Sequence, residues 1–227
     1  MKQYYPLTAV TAGTIVFVMI LICALSTATR ATFSSLAWKF NEAQASQIEQ
    51  QDIVSDELAT NMSLVFNIGK QVGDAETLQA ILLQETRGGM IPSLIGNKES
   101  PVGKRSYGLM QVQVCAARSI LSRNTDLTEG YFPDRKYISL ADEEIIALLL
   151  TNKDANIRIA AYHFKLYKSL AKGDWARTVA GYNAGEVLMH KLQHPEQFGY
   201  VVEVKQKLNT TVKQFNKDHG LQLTQRF

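Results

Sequence analysis

Between Lys2 and Arg30 the chain carries no charge, and from Leu7 to Ala28 every residue is apolar or small, most densely over Thr14–Leu25. No water-facing element is built that way. Such a run spans a bilayer, is removed as an export signal, or is buried in a core. It is long enough for the roughly 20 residues that a bilayer needs, which favours an uncleaved anchor through residues 7–28. Lys2 as a thin basic start and Ser26-Thr27-Ala28 as a small-residue cleavage site fit a removed signal as well. Either way, the rest of the chain is expected outside the cytoplasm. One charge on each flank gives the positive-inside rule little to act on. Ile20-Leu-Ile-Cys23 lacks the small residues that precede a lipidated cysteine, so no lipoprotein is expected. Beyond residue 37 the chain carries 22 basic against 21 acidic residues. So even a balance lacks the basic face of a nucleic-acid binder, and no nucleic-acid partner is expected.

The remaining sequence reads as all-α. Ala37–Gln51 is polar and Gln/Ala-rich, a helical linker. Ser55–Val72 carries Leu58, Met62, Val65, Phe66 and Ile68 at three- and four-residue steps, which predicts a helix. Gly73 breaks it, and Asp74 is placed to cap a second helix that carries Leu78, Ile81, Leu82 and Glu85 and stops at Gly88-Gly89. Residues 90–107, with two prolines and two glycines, predict an irregular loop. Further helices are expected from Gln113 to Leu121, after the Ser139-x-x-Asp142 capping box, over Asp154–Ala171, over Trp175–Tyr182 with a new turn at Gly185, and over about 200–215. Ser122–Tyr137 reads as loop, and no strand is expected. The domain layout that follows is 1–36 as anchor or signal, 37–73 as linker and first helices, and 74–227 as the functional domain. With two cysteines this far apart, no disulfide is expected; Cys115, next to Val114, reads as a small buried hydrophobe.

Three short segments carry the chemistry: Leu83-Gln-Glu-Thr-Arg-Gly-Gly89, Ser106-Tyr-Gly-Leu-Met-Gln-Val112 and Gly181-Tyr-Asn-Ala-Gly185. Glu85 ends an apolar helix just before a double glycine, where a carboxyl can project into a cleft. Glycosidic cleavage needs a proton for the leaving oxygen, and a carboxylic acid supplies it near neutral pH only when an apolar surround raises its pKa. An ordinary glycosidase also needs a second carboxylate, roughly 5–9.5 Å away. None of the three segments holds one.

The ordered set, with Asn156-Ile157 opening the long helix between the second and third, resembles the catalytic domain of the soluble-lytic-transglycosylase family, which is related in fold to goose-type lysozyme. The resemblance covers about residues 74–205. It implies a lysozyme-like helical domain that cleaves the MurNAc–GlcNAc bond of peptidoglycan to 1,6-anhydro-MurNAc ends. Glu85 then acts first as acid and then as base, with no cofactor and no metal. It further implies that Thr86 hydrogen-bonds near Glu85, that Ser106 belongs to the turn into the second segment, and that Met110 and Gln111 line the cleft. Tyr182 and Asn183 fall on the other wall, and Tyr200 matches an aromatic near the end of the domain. The chain departs from the pattern where the family commonly has Ser (here Thr86) and Ala (here Gly181), and it is longer between Gln111 and Asn156. That puts an insertion near Arg123–Leu140.

Such a protein's partners are peptidoglycan strands, the membrane, and either a secretion machine or a phage virion, among which the residues do not choose. Its place is the periplasmic side of an inner membrane, the exterior, or a virion. Two alternatives stay open. One is a same-fold hydrolase taking a second carboxylate from Asp126, Glu129 or Asp134. The other is a non-catalytic wall-binding or structural subunit. His190 and His194, four apart, have no zincin Glu between them, and Pro195 ends their run, so they are not read as metal ligands. Lys205 and Lys207 read as a solvated face, suited also to an anionic wall polymer.

Overall fold

The computed structural model describes residues 56–89, 95–96, 101–133 and 140–221. The expected anchor or signal (1–36) and linker (37–51) lie outside the described residues. Among those described, no helix is long and apolar enough to cross a membrane. The chain divides into Met1–Ile53 and a compact unit, Val54–Phe227.

The compact unit is all-α in its bulk. Its helices are α1 (56–72), α2 (Ala75–Thr86), α3 (Val114–Arg123), α4 (Thr125–Tyr131), α5 (Asp142–Thr151), α6 (Lys153–Leu170), α7 (Trp175–Lys191), α8 (Gly199–Lys207) and α9 (Lys213–Asp218). α8 runs into α9 through a π-helical turn, Leu208–Val212, so the single last helix read from the sequence is one rod with a wide turn inside it. α6 is the central element, packed on α3, α5 and α7, while α2 packs on α8. Met62, Val65 and Ile68 of α1 join Leu78, Ile81 and Leu82 of α2 and Ile157, Ala161 and Phe164 of α6 in one buried cluster. These are the three- and four-residue steps of the sequence pattern, turned inward.

Four local expectations are corrected. Short strands do occur: β1 (Ile95–Gly96), β2 (Ser106–Tyr107) and β3 (Val112–Gln113) form a small antiparallel sheet in that order. Two-residue strands are too short to show a period of two. Within the stretch read as loop, α4 forms and is tied to α3 by the Thr128 hydroxyl, which donates to the Leu121 carbonyl at 2.8 Å. Its Gly130 and mixed charges masked the short helix. Asp74 stands at the N-cap of α2 but caps with backbone only; its carboxylate takes a hydrogen bond from Lys168 Nζ at 2.7 Å. α5 starts at Asp142 with Ala141 at its N-cap, and Glu144 reaches back to accept from the Ala141 N–H at 2.8 Å. The capping box is therefore not the Ser139–Asp142 pair; Ser139 itself lies outside the described residues.

Candidate active site

Glu85 sits in the last turn of α2. The helix stops one residue later because Arg87 takes a left-handed conformation (φ 53°) and the Gly88 N–H folds back onto the Leu82 carbonyl. Gly88 and Gly89 both have positive φ, and a Cβ on Gly89 would lie 2.3 Å from the Asn61 amide nitrogen. Asn61 is fully buried on α1 and donates to the Gly88 carbonyl. The double glycine thus lets α1 press against the turn that aims Glu85.

The carboxyl is half-buried at the edge of a groove of about 760 Å³ lined also by Ser106, Gln111, His163, Tyr182 and Asn183. Tyr200, in the first turn of α8, donates its hydroxyl to Glu85 Oε1 at 2.5 Å. The α2–α8 contact that brings them together is fixed further along by Gln84, which bonds Glu203 and accepts from Lys207 Nζ at 2.6 Å. Burial pushes the Glu85 carboxyl up from 4.5 to about 7, against the Tyr200 hydrogen bond, which favours the ionised form. Tyr182 and Tyr200 are themselves held well above their usual range, by burial first and by the charge of Glu85 second. Both remain hydrogen-bond donors across the neutral range.

The second segment is shaped by α6. Asn156, fully buried, accepts from the Met110 N–H at 2.8 Å and donates to the carbonyls of Tyr107 (2.9 Å) and Leu149 (3.1 Å). Gly108 has φ 75°, and a Cβ there would lie 2.3 Å from the Leu149 oxygen, so only glycine fits. Gln111 also takes a left-handed backbone (φ 48°), and its side-chain amide donates to the Gly108 carbonyl. The third segment lies on α7, which breaks at Gly185 (φ 83°) and leaves Asn183 exposed on the groove wall. Gly181, where the resembled pattern has Ala, lies so close to α6 that a Cβ would meet the Tyr167 ring at 2.6 Å and Met189 Sδ at 2.8 Å.

Glu85, Ser106, Gln111, Tyr182 and Asn183 therefore share one groove, with Tyr200 behind the carboxyl. Thr86 and Met110 differ. The Thr86 side chain is buried; its hydroxyl donates to the Leu109 carbonyl at 2.9 Å and accepts from the Gly89 N–H at 3.0 Å. It ties the first segment to the second. Met110, fully buried, packs in the core rather than lining the groove, and its carbonyl accepts from Tyr182 at 2.7 Å. Cys115, expected to be buried, is exposed and lines the groove. The α3 face turned inward is Val114, Ala117, Ile120 and Leu121, and one helix step carries the next residue about 100° away from it.

Sequence reasoning missed Asn156 as the organiser of the second segment, and His163 and Glu186 as groove residues. His163 lay hidden on a long helix whose periodicity reads as core. Glu186 is the other acid on the groove among the described residues; its exposed side chain faces His190 at 3.8 Å. Asp126 lines a second cavity with Tyr131 and Arg158, which shares Arg123 with the groove, Glu129 is exposed, and Asp134 lies outside the described residues. Among the described residues no three His, Cys, Asp or Glu side chains gather as metal ligands. Comparison of the chain with family models, with curated proteins and with solved structures found no match.

Proposed function

We propose that this chain is a peptidoglycan lytic transglycosylase of lysozyme-like fold, held at or exported across a membrane by residues 7–28. The observation that carries the reading is a carboxyl raised to about 7 at a sugar-sized groove, backed by a tyrosine donor. An acid of that pKa is still substantially protonated at neutral pH and still releases its proton readily, as a group that serves first as acid and then as base must. The order of the three segments, and their meeting around one groove, support it further.

In this mechanism Glu85 gives its proton to the oxygen linking MurNAc to GlcNAc, and the C1–O bond breaks. Positive charge develops at C1 beside the Glu85 carboxylate. That carboxylate then takes the proton of the MurNAc C6 hydroxyl as its oxygen bonds to C1. The products are a 1,6-anhydro end and a free GlcNAc hydroxyl; no water is consumed, and Glu85 is left protonated for the next turnover. The Tyr200 hydroxyl stabilises the carboxylate in the middle of the cycle. Activity falls as pH rises through about 7, because the starting acid is lost.

The test is to incubate the full-length chain and its Glu85→Gln variant with purified peptidoglycan and read the products by mass spectrometry. Anhydro-muropeptides, lowered on the order of 10³-fold in the variant, are expected. Products heavier by one water and abolished in Glu186→Gln would replace this reading with a two-carboxylate hydrolase. No soluble product, with the chain pelleting with the wall, would replace it with a wall-binding role.

A further inference from the structure

His163 is the groove residue that the proposed chemistry leaves without a task. It lies on α6, whose half-buried face towards the groove also presents Leu166, Tyr167 and Leu170, three, four and seven positions on. Its ring meets Tyr167 edge-on at 4.8 Å between centroids and lies 5.6 Å from the ring of Tyr182, the residue whose hydroxyl is tied to the second segment. Two tyrosine rings thus fix the plane of the imidazole. Ala116, across on α3, joins Leu166 and Leu170 in giving the neighbouring wall an apolar lining. Burial pushes the imidazole down to about 4, so at neutral pH it is uncharged and offers one N–H donor and one acceptor. A charged ligand gains little from such a group. A group that joins a hydrogen-bonding end to a methyl, such as an acetamide, matches both features of this wall, the ring nitrogens and the apolar leucine and alanine side chains.

We propose that His163 is a positioning residue that hydrogen-bonds the acetamido group of an N-acetylated hexose in the groove, with Leu166, Leu170 and Ala116 receiving its methyl. This rests on the glycan-cleaving reading for the identity of the ligand, but not for its test. The probe is N-acetylated chitotetraose, titrated by calorimetry into the detergent-solubilised full-length Glu85→Gln chain, which binds without turning over. Adding His163→Leu should weaken binding roughly tenfold, the loss of one net hydrogen bond, and His163→Gln, which keeps a donor and an acceptor, should restore most of it. Cellotetraose, which lacks acetamido groups, should bind more weakly and be indifferent to all three side chains. On the folded Glu85→Gln chain, the His163 ring resonances should shift when the acetylated probe is added and stay still with cellotetraose, a readout that needs no His163 variant to fold. Unchanged resonances, equal affinity in His163→Leu, or no binding of the acetylated probe each overturns the assignment. A resonance shift without anhydro products from the wild-type chain would sink the transglycosylase reading and leave His163 as an acetamido contact. Anhydro products with an unmoved His163 would do the reverse.

Discussion

At the scale of a residue, the proton on Glu85 is coupled to the stability of the whole unit. The carboxyl holds its proton up to about pH 7 when folded, against 4.5 for the ordinary group. Between those values the folded chain carries a proton that the unfolded chain has lost, so stability declines as pH rises from about 4.5 to about 7 and is level beyond. At pH 8 the buried carboxylate costs about 3 kcal/mol relative to an uncharged group of the same shape. Glu85→Gln removes that cost and keeps an acceptor for Tyr200. Thermal melts should show the variant and the wild type within a degree at pH 4, with the variant higher by about 10 °C at pH 8. An equal gain at both pH values would mean that packing, and not the charge, was relieved. No gain at pH 8 would mean that the carboxyl ionises there without penalty.

At the scale of an element, the second segment keeps its shape through α6 rather than through its own residues. Asn156 answers one N–H and two carbonyls of the backbone around it, and Gly108 permits the approach by having no Cβ. Asn156→Ala strands a buried donor and weakens two acceptors, for about 3 kcal/mol. Its melt, followed by circular dichroism, should fall by about 10 °C, and a fall of only a degree or two would show that water replaces the amide freely. The sequence marked Asn156 only as a feature of the resemblance, because a buried asparagine on an apolar helix face looks the same whether it braces a distant turn or its own helix. The helices themselves were legible, since their apolar steps meet a core on one side. So was the end of α2, from the double glycine, although the left-handed turn begins one residue earlier, at Arg87. What the periodicity did not carry was anything built from two to seven residues: the three short strands and α4. It also reversed Cys115, because neighbours on a helix differ by about 100° and one buried position says nothing of the next.

At the scale of the whole molecule, the lower limit of the folding unit lies before α1. The break at Gly73 suggested a domain beginning at Asp74, with the preceding helix counted among linker elements. Yet Met62, Val65, Phe66 and Ile68 of α1 are all at most 3 % exposed. Asn61 braces the turn after Glu85, and Lys153 on α6 bonds both Glu57 and Asn61. Burying those four apolar side chains is worth about 6–12 kcal/mol at 1.5–3 kcal/mol each, as much as the net stability of a typical domain. A chain of residues 54–227 should therefore unfold cooperatively in urea, and one of residues 74–227 should show no cooperative transition. Trp175 is the one tryptophan both retain, and its indole donates to Thr77 on α2 at 3.1 Å, so its fluorescence reports on the α2 packing that α1 supports. If the shorter chain gave the same sigmoidal Trp175 transition at the same urea midpoint, α1 would be an appendage, and the brace from Asn61 to the Glu85 turn would carry no weight in the fold.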